Sequence, residues 1–594
     1  MSARIARRPA QARIRLCARR AQVAFAFFVA FALYITARYF FVQIAQGPHL
    51  ATIAFAQDRW MRHVPAVRGS IYDRDGTLLV GSVPAQSVYV DMRYARDLDR
   101  TALALSHALG LAPGDVLRAF ERKNATVQIA HKVPRDRAAA VERLGLPGVT
   151  VEDEDTGNRF APSPRLASTL LGFTGFDDDG LEGLEYAFDP WLRGTKGMTE
   201  RVGDKFGRAD PFASATTVAV PRTGYSLVLT LDSFLQFNAE RVLRATVAKW
   251  HAESGSAIVL DPWSGEILAL ANAPDFDMHA YAKASAAARR DRAVTDAYEP
   301  GSTFKLITAA AALESGKVSP SDRFAARDRL EVGGSTIHNA EDGFLAGSQS
   351  TENLDEIVTK SHNVGAAEVG LRVGSRTMYA TMRRFGFGDP TGVELPGENP
   401  GIVPDLASWS ATSLPTMSFG HGIAVTPLAL ARAYAAFANG GMLLRPRIVS
   451  QILDDKGRPA YRYGREVERR VISARTAGLL RGYLRHVVER GTGNPMAQVP
   501  GYTTAGKTGT AQVAENGFYV SGAYVASFVG MIPATSPRYV ILVKIARPVG
   551  AIYGGVVAAP AFAELARIAM MHAGIPPAPP PRSVHEGRTS KQSA

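Results

Sequence analysis

The sequence of 594 residues is poor in cysteine, and its first 57 residues contain no Asp or Glu. The single cysteine, Cys17, excludes a disulfide framework within the chain, so the fold must be stabilised by its hydrophobic core. The twelve histidines show no paired metal-ligand spacing, and neither a His-Glu-x-x-His motif nor a glycine-rich phosphate loop occurs. We therefore expect no metal and no other cofactor.

The positive charge is concentrated at the N-terminus. The formal net charge is +13, and eight arginines within residues 1–57 account for most of it, which leaves +5 on the other 537 residues. A protein that binds phosphate backbones needs a basic folded body, so the sequence disfavours nucleic acid as a partner. The composition, 46% hydrophobic and 21% charged, is that of a globular protein and excludes a disordered chain or a polytopic membrane protein.

One long hydrophobic run occupies residues 21–45, interrupted by Arg38. A helix of this length spans a bilayer if the Arg38 side chain reaches the headgroups. Seven arginines precede the run, so the positive-inside rule predicts a cytoplasmic segment over residues 1–20 and an exported remainder. A cleavable signal peptide is the competing interpretation, because Ala-x-Ala triplets occur in the run. Both triplets lie inside the apolar segment, which favours a retained membrane anchor.

The exported region divides near residues 216–226. Residues 46–215 contain clusters of Gly and Asp, which predict strands and turns rather than long helices. Residues 220–575 contain a predicted hairpin around the turn at 261–266, with later strands and helices. This order predicts an α+β domain with one antiparallel sheet. Residues 576–594 are rich in proline and polar residues and are predicted to be disordered.

Ser302 and Lys305 form a Ser-x-x-Lys motif at the start of a predicted helix. The three-residue separation places both side chains on one helical face, where the amine could take a proton from the hydroxyl. A lysine with the ordinary pKa of about 10.4 would be protonated, but the helix dipole, burial and a second ammonium each favour the neutral amine. In isolation, the motif is better explained as a Ser N-cap with a surface lysine.

Two further motifs give this pair its context. Ser361-His362-Asn363 lies 59 residues after Ser302, and Lys507-Thr508-Gly509-Thr510 begins 146 residues after Ser361. Ser-x-x-Lys, Ser-x-Asn and Lys-Thr-Gly in this order are typical of serine penicillin-recognising enzymes. Each motif alone is a weak signal, whereas the ordered set is specific.

In their contexts YEPGSTFK, KSHNVGA and AGKTGTAQ, the three motifs resemble those of class B penicillin-binding proteins, which are peptidoglycan D,D-transpeptidases. RGSIYDRDG, DGLEGLE and LRGTKG resemble the family's pedestal motifs, so the resemblance covers nearly the whole exported chain. It implies the penicillin-binding transpeptidase fold, an antiparallel β-sheet flanked by helices, with an N-terminal β-rich pedestal and one transmembrane helix. RDRAVTDAYEPGSTFK and ASFVGMIPATSPRYVILV resemble the division-type, septal enzyme more than the elongation-type enzyme.

The resemblance implies four catalytic residues. Ser302 would attack the penultimate D-Ala carbonyl of a donor stem peptide, and Lys305 would take the proton of its hydroxyl. Ser361 would relay a proton to the leaving amine, while Lys507 would keep the local field positive.

The resemblance also implies a substrate-binding set. Asn363 would bond to the substrate amide, and Thr508, Gly509 and Thr510, with the Lys507 ammonium, would face the terminal carboxylate. The backbone N–H groups of Ser302 and Thr510 would form the oxyanion hole, which contributes several kcal/mol in such enzymes.

Two positions depart from the family pattern. His362 stands where the division-type motif has Ser, and its side chain is expected to pack away from the catalytic groups. The segment Phe276-Asp277-Met278-His279 replaces the Asn-Pro-Asn that commonly follows this Phe, which affects the local turn rather than the chemistry.

The implied partners are peptidoglycan stem peptides, β-lactams as inhibitors, and a SEDS-family glycan polymerase with other divisome membrane proteins. The implied location is the inner membrane, with the catalytic domain in the periplasm. The alternatives are an elongation-type transpeptidase, a D,D-carboxypeptidase or β-lactamase-like hydrolase, and a β-lactam-binding scaffold without catalysis. The long pedestal disfavours a stand-alone hydrolase, and the intact reactive side chains disfavour the scaffold.

Overall fold

The computed structural model describes residues 8–578 except 65, 123, 155–157, 203–215, 341–349 and 516. The first seven residues of the predicted cytoplasmic segment, and the predicted tail beyond residue 578, lie outside the described residues. The chain forms two compact units, one made of residues 1–65 and 195–222 and the other of residues 66–194 and 223–594.

The first unit contains the predicted apolar helix. Helix Arg8–Phe40 continues as the π-helical turn Phe41–Ala45 and is followed by helix Gly47–Asp58. The stretch Arg13–Ala45 is long and apolar enough to cross a membrane. Beyond it, an antiparallel sheet has the strand order Arg59–Val64, Gly197–Val202, Thr216–Ala219.

In the second unit, residues 85–153 form a small α/β layer with its own core. Its antiparallel sheet has the strand order Thr126–Pro134, Ala85–Asp91, Val149–Asp153, covered by helices Leu98–Leu109, Pro113–Phe120 and Arg135–Arg143. Helix Leu98–Leu109 forms because Asp97 caps its N-terminus and Ala102, Leu105 and Leu109 form one buried face. The region is therefore more helical than its Gly and Asp clusters predicted.

Two of the three pedestal motifs, RGSIYDRDG and DGLEGLE, meet around one buried arginine. Arg68 Nε lies 2.7 Å from Glu185 Oε2, and its Nη1 lies 2.6 Å from Asp189 Oδ1. Arg159 Nε contacts the second oxygen of Glu185 at 2.6 Å. The Arg68 and Glu185 side chains are at most 1% exposed, so each charge depends on its partners for solvation.

A mixed sheet joins these pedestal residues to the C-terminal part of the same unit. Its strand order is Pro459–Arg462, Val449–Leu453, Ser226–Leu229, Ile71–Tyr72, Leu78–Val83, Asn158–Phe160. Strand Ser226–Leu229 pairs in parallel with Ile71–Tyr72 and antiparallel with Val449–Leu453. Segments from both sides of the predicted domain boundary near residue 216 thus share one hydrogen-bonded sheet.

The main sheet of this unit is antiparallel throughout and confirms the predicted fold class. Its strand order is Ile267–Ala273, Ser254–Leu260, Tyr539–Ala546, Phe518–Ile532, Ala505–Glu515. Ala257 and Val259 face helices Ser233–Lys249 and Ala559–His572, whereas Ile258 and Leu260 face the larger core. Strands buried on both faces read as unbroken apolar runs, as these do.

The larger core contains the helices that carry the first two motifs and the helices that pack around them. They are the 3₁₀ turn Gly301–Phe304 and helices Lys305–Glu314, Leu354–Lys360, Asn363–Val373, Ser375–Arg384, Ser413–Met417, Pro427–Ala438 and Ala474–Arg490. Minor strands and short helices complete the unit. The minor strands are Phe324–Ala325, Arg329–Val332, Ser335–His338, Thr351–Glu352, Met442–Leu444 and Val467–Arg470. The short helices are Ser168–Leu171, Gly183–Ala187, Asp189–Leu192, Met278–Lys283, Ala286–Arg289, Arg292–Thr295, Leu406–Ser408 and Gly554–Val557.

The turn that departs from the family pattern connects the pedestal to the main sheet. Asp277 caps the short helix Met278–Lys283, because its Oδ1 accepts the His279 N–H at 2.8 Å. The His279 ring stacks on Phe160, and its Nε2 accepts the Ala161 N–H at 3.1 Å. His279 is therefore an interdomain contact within this unit.

Candidate active site

The nucleophile turn is held in place by its neighbours. Gly301 has φ of 53°, and a Cβ there would lie 2.9 Å from the Thr510 carbonyl oxygen, so glycine permits the turn to approach the Lys-Thr-Gly strand. The Tyr434 hydroxyl donates to the Thr303 carbonyl at 2.7 Å inside the core. Ser302 follows Gly301 on the partly exposed side of this turn.

Lys305, the first residue of the following helix, is 1% exposed. Its Nζ donates to Asn363 Oδ1 at 2.8 Å, to Ser361 Oγ at 3.1 Å and to the Ser361 carbonyl. Among the hydrogen bonds of the described residues, none joins Lys305 Nζ to Ser302 Oγ. Catalytic hydrogen bonds often form only once substrate is bound, so this geometry is compatible with a base.

Ser361 occupies a strained corner between two helices. Helix Leu354–Lys360 ends at Ser361, which has φ of 65°, and helix Asn363–Val373 begins two residues later. This left-handed conformation is unfavourable for a serine, and it turns both the hydroxyl and the carbonyl of Ser361 toward the lysines. Asn363 is fixed by Asn339, whose Oδ1 accepts its N–H at 2.8 Å, and by a bond from its Nδ2 to the His338 carbonyl.

His362 lies outside the hydrogen-bonded lysine cluster. Its Nδ1 is 2.5 Å from Glu352 Oε2, and its side chain is 11% exposed. Glu352 is itself buried on the strand Thr351–Glu352. His362, the middle residue of the second motif, therefore packs against the buried carboxylate of Glu352 and does not join the lysine cluster.

Lys507 lies on the edge strand Ala505–Glu515, and its Nζ donates to Ser361 Oγ at 2.9 Å. The hydroxyl of Ser361 thus lies between two amines. On the same strand, the Thr508 hydroxyl pairs with Thr492 at 2.8 Å, and Thr510 Oγ1 accepts the Gly554 N–H at 3.1 Å.

Gly509 permits the edge strand to lie against the nucleophile turn. A Cβ on Gly509 would lie 2.3 Å from Ser527 Oγ and 3.0 Å from the Pro300 carbonyl oxygen. The first and third motifs are therefore in direct backbone contact, and the second contacts both through side chains.

Burial sets the electrostatics of the two lysines. It lowers the pKa of the Lys305 amine well below the ordinary value; the charge of Lys507 lowers this pKa further, and Glu352 opposes the change. Burial also lowers the pKa of Lys507 to about 7. Burial and a second ammonium, two of the causes expected from the sequence, thus both favour a neutral Lys305.

The structure places all eight predicted site residues in one region and adds others that the motifs did not mark. The Thr492 hydroxyl is hydrogen-bonded to the Thr508 hydroxyl, and the charge of Glu352 opposes the lowering of the Lys305 pKa. A further cluster of Glu299, His421 and Tyr519 lies beside the nucleophile turn. Glu299 lies within YEPGSTFK, so adjacency to the motif was its only signal, while Tyr519 had none. Among the described residues, no group of three His, Cys, Asp or Glu is arranged to hold a metal ion.

Two family models match the chain. The model of the penicillin binding protein transpeptidase domain matches residues 255–567, and that of the penicillin-binding protein dimerisation domain matches residues 63–229.

Curated relatives match over most of their length. Stage V sporulation protein D of Bacillus subtilis is 34% identical over 92% of this chain and 84% of that protein. The peptidoglycan D,D-transpeptidase FtsI of Escherichia coli is 33% identical over 85% of this chain and 83% of that protein. Among solved structures, penicillin binding protein 3 of Mycobacterium tuberculosis complexed with ampicillin has a TM-score of 0.69 at 30% identity, covering 88% of this chain and 98% of that chain. Its complex with aztreonam has a TM-score of 0.68.

Proposed function

Because the chain belongs to the class B penicillin-binding proteins, we propose that it is a division-type peptidoglycan D,D-transpeptidase that cross-links septal stem peptides through an acyl-enzyme on Ser302. The observation that carries this proposal is the hydrogen-bonded cluster of Lys305, Ser361, Asn363 and Lys507 beside the nucleophile turn. A hydrolase or a scaffold would not require the long pedestal together with an intact reactive set.

In the acylation step, the neutral Lys305 amine takes the proton of Ser302 as Oγ attacks the penultimate D-Ala carbonyl. Ser361, between the two amines, passes a proton to the departing D-Ala nitrogen. Lys507 supplies positive charge while it is protonated, and its pKa of about 7 makes that charge sensitive to pH. The carbonyl oxygen becomes negative during the attack, and the N–H groups of Ser302 and Thr510 stabilise it.

Substrate binding uses the edge strand and the second motif. Asn363 bonds to the substrate amide, while Lys507 and the hydroxyls of Thr508 and Thr510 attract the terminal carboxylate. Gly509 keeps the strand close enough to the turn for these groups to act on one substrate. A β-lactam presents the same carboxylate and a strained amide carbonyl, so it acylates Ser302 and blocks the site.

The architecture supports a periplasmic enzyme anchored in the inner membrane. Residues 1–20 are cytoplasmic, residues 21–45 span the membrane, residues 46–215 form the pedestal and residues 220–575 form the transpeptidase domain. The arginines ahead of the apolar helix support this orientation. The partners are a SEDS-family glycan polymerase and other divisome membrane proteins, which the helix and pedestal bind.

The test of the active site is the intact mass of the full-length protein after exposure to benzylpenicillin. We expect one covalent adduct on the wild type and none on Ser302→Ala. An adduct on both proteins, or on neither, contradicts the assignment of Ser302. For the division role, depletion in cells is expected to give filaments, whereas rounded cells would indicate the elongation-type enzyme.

A further inference from the structure

A cluster of three side chains beside the nucleophile turn has no part in the mechanism above. The Glu299 carboxylate accepts the Gly422 N–H at 2.8 Å and the Tyr519 hydroxyl at 3.1 and 3.2 Å. His421 Nδ1 lies 3.4 Å from the Tyr519 hydroxyl and 3.6 Å from Glu299 Oε2. Two other chain segments therefore converge on the Glu299 carboxylate.

The loop that carries His421 packs directly on the turn that carries Ser302. The Gly301 N–H donates to the Gly420 carbonyl at 3.1 Å, and a Cβ on Gly420 would lie 2.2 Å from the Gly301 carbonyl oxygen. Glu299 is itself three residues before Ser302. The cluster is therefore fixed to the reacting serine by backbone contacts rather than by long side chains.

The carboxylate in this cluster has no cationic partner among the described residues. Burial, and then the charge of Lys305, lower the pKa of His421 to about 4, so the imidazole is neutral at ordinary pH. Within the described part of the chain, no Lys or Arg forms an ion pair with Glu299. Burial raises the pKa of Glu299 against the two hydrogen bonds that lower it. Such a carboxylate is poised to bind a positive group that comes from outside.

The cluster is also open to a ligand. The His421 side chain is 29% exposed, and Tyr519 is 49% exposed at the start of strand Phe518–Ile532. His421 Nε2 has no hydrogen-bond partner among the described residues, so it is available to accept an N–H. The arrangement of a carboxylate, a neutral imidazole nitrogen and a phenol matches the needs of a primary ammonium group, which has three N–H donors and one positive charge.

We propose that Glu299, His421 and Tyr519 form the subsite that binds the primary ammonium group of the acceptor stem peptide. This inference rests on the proposed function, because only a transpeptidase has an amine acceptor. It assigns a site to the second substrate, for which the mechanism above provides none.

The subsite also accounts for the protons of the second step. An ammonium has no lone pair, so Glu299 takes one proton from it and releases that proton to water. The free amine forms the N–C bond with the acyl carbonyl as the C–O bond to Ser302 breaks. The second proton of the amine passes through Lys305 to Ser302 Oγ, which restores the hydroxyl and leaves a neutral amide.

The test measures how much of the acyl-enzyme reacts with the acceptor amine and how much reacts with water. Full-length protein in detergent is given a D-alanyl thioester donor with Nα-acetyl-lysine or mono-N-acetyl-diaminopimelate as acceptor, and the amide and acid products are quantified. For Glu299→Gln we expect the amide-to-acid ratio to fall at least tenfold, with a raised acceptor KM, because a charged hydrogen bond is lost. Acylation by benzylpenicillin is expected to stay within about threefold of wild type.

Two further variants keep the test decisive. Tyr519→Phe removes a hydroxyl bonded to Glu299 from an exposed position, and it should lower the ratio by about threefold. Glu515→Gln removes a carboxylate on the neighbouring strand that pairs with Arg547, and it should leave the ratio unchanged.

Each failure has its own signature. A wild type that hydrolyses the thioester and never forms amide overturns both the proposed function and the subsite. If the wild type forms amide and Glu299→Gln keeps the wild-type ratio, only the subsite is wrong. The subsite is likewise wrong if penicillin acylation falls in parallel with amide formation in both Glu299→Gln and Tyr519→Phe, because the residues then act on the fold of the turn.

Discussion

At the scale of single residues, the chemistry depends on where protons reside in a buried pair of lysines. Lys305 and Lys507 share the hydroxyl of Ser361, and neither has a carboxylate in direct contact among the described residues. Two ammonium groups this close repel each other, so protonation of one opposes protonation of the other. The pair therefore holds fewer protons than two exposed lysines would, which leaves an amine free to act as base.

This arrangement predicts a bell-shaped pH dependence for acylation by benzylpenicillin. Acidification protonates Lys305 and removes the base, so the rate falls on the acid side. Raising the pH through about 7 deprotonates Lys507 and removes the positive charge near the β-lactam carboxylate, so the rate also falls on the alkaline side. Stopped-flow measurements of the acylation rate between pH 5 and 10 define both limbs of the profile. The apparent pKa of each limb belongs to the coupled pair of lysines and not to one residue.

The control for this profile is Lys507→Gln, which keeps a polar side chain without a titrating amine. It is expected to acylate more slowly and to lose the alkaline limb. A wild-type rate that rises steadily up to about pH 10 would instead show that Lys305 keeps an ordinary lysine pKa.

At the scale of elements, the close approach of the edge strand to the nucleophile turn depends on the absence of a side chain at Gly509. Gly509→Ala would place a methyl group 2.3 Å from Ser527 Oγ and 3.0 Å from the Pro300 carbonyl oxygen. We expect the strand to move away from the turn, with acylation by benzylpenicillin reduced at least about 100-fold, because small misplacements of catalytic groups are costly. Labelling with a fluorescent penicillin measures the loss.

The matched control is Gly482→Ala, in the middle of helix Ala474–Arg490, where a methyl group meets open space. It should keep the wild-type acylation rate and stabilise the protein by up to about 1 kcal/mol through higher helix propensity. Equal acylation by Gly509→Ala and Gly482→Ala would disprove the steric argument.

Strand Tyr539–Ala546 contains a further buried lysine, Lys544, which the mechanism does not use. Lys544 is 4% exposed, its Nζ lies 5.0 Å from the centre of the Tyr298 ring, and burial lowers its pKa to about 8. Below pH 8 the folded protein carries a buried charge that water solvates in the unfolded chain, so this residue destabilises the fold there. Between about pH 8 and 10.4 the cost declines, because the folded state has already released the proton.

Lys544→Met should therefore raise the melting temperature of the second unit by a few degrees at pH 7, corresponding to about 1–3 kcal/mol. The gain should shrink when the same melts are repeated at pH 10. A lower melting temperature at pH 7 would mean that the contact with Tyr298 outweighs the cost of burial.

Local patterns of the sequence predicted the hairpin of the main sheet. The hairpin of Ser254–Leu260 and Ile267–Ala273 follows from apolar runs around a Pro and Gly turn. Long-range features were not predictable from such patterns. The two-residue strand Ile71–Tyr72 has no signature of its own, and the positive φ of Ser361 results from the packing of two helices.

The site residues that belong to a sequence motif were predictable, whereas those that reach the site only through the fold were not. The spacing of the three motifs along the chain says nothing of distance, so their assembly rested on the family resemblance. The partners Thr492, Glu352 and Tyr519 approach from segments with no motif. Tyr519 reaches Glu299 only because the sheet register brings the strand Phe518–Ile532 back past the nucleophile turn.

At the scale of the whole molecule, the six-stranded mixed sheet makes pedestal and transpeptidase residues interdependent. A protein truncated to begin at residue 220 would lack three of its strands and leave Ser226–Leu229 as an open edge. We expect this truncation to aggregate and to lose labelling by fluorescent penicillin. A truncation that begins at residue 46 removes the cytoplasmic segment and the apolar helix and keeps every strand of the sheet.

Soluble yield and the labelling rate per molecule distinguish the two truncations. The protein that begins at residue 46 should be labelled at the rate of the full chain in detergent. Monomeric, fully labelled protein from the truncation at residue 220 would show that the transpeptidase part folds without the pedestal strands.

The parallel pairing of Ile71–Tyr72 with Ser226–Leu229 also limits how such genes can recombine. A crossover between two related genes at residue 150 would take these strands from different parents, and it would also separate Arg68 from Glu185. Crossovers between residues 229 and 302 keep both pairs within one parent and exchange the catalytic motifs together. Viable mosaic alleles should therefore inherit residues 68–229 from one parent. Selection can then change the segment that carries the catalytic motifs while the paired strands and the contact between Arg68 and Glu185 stay the same.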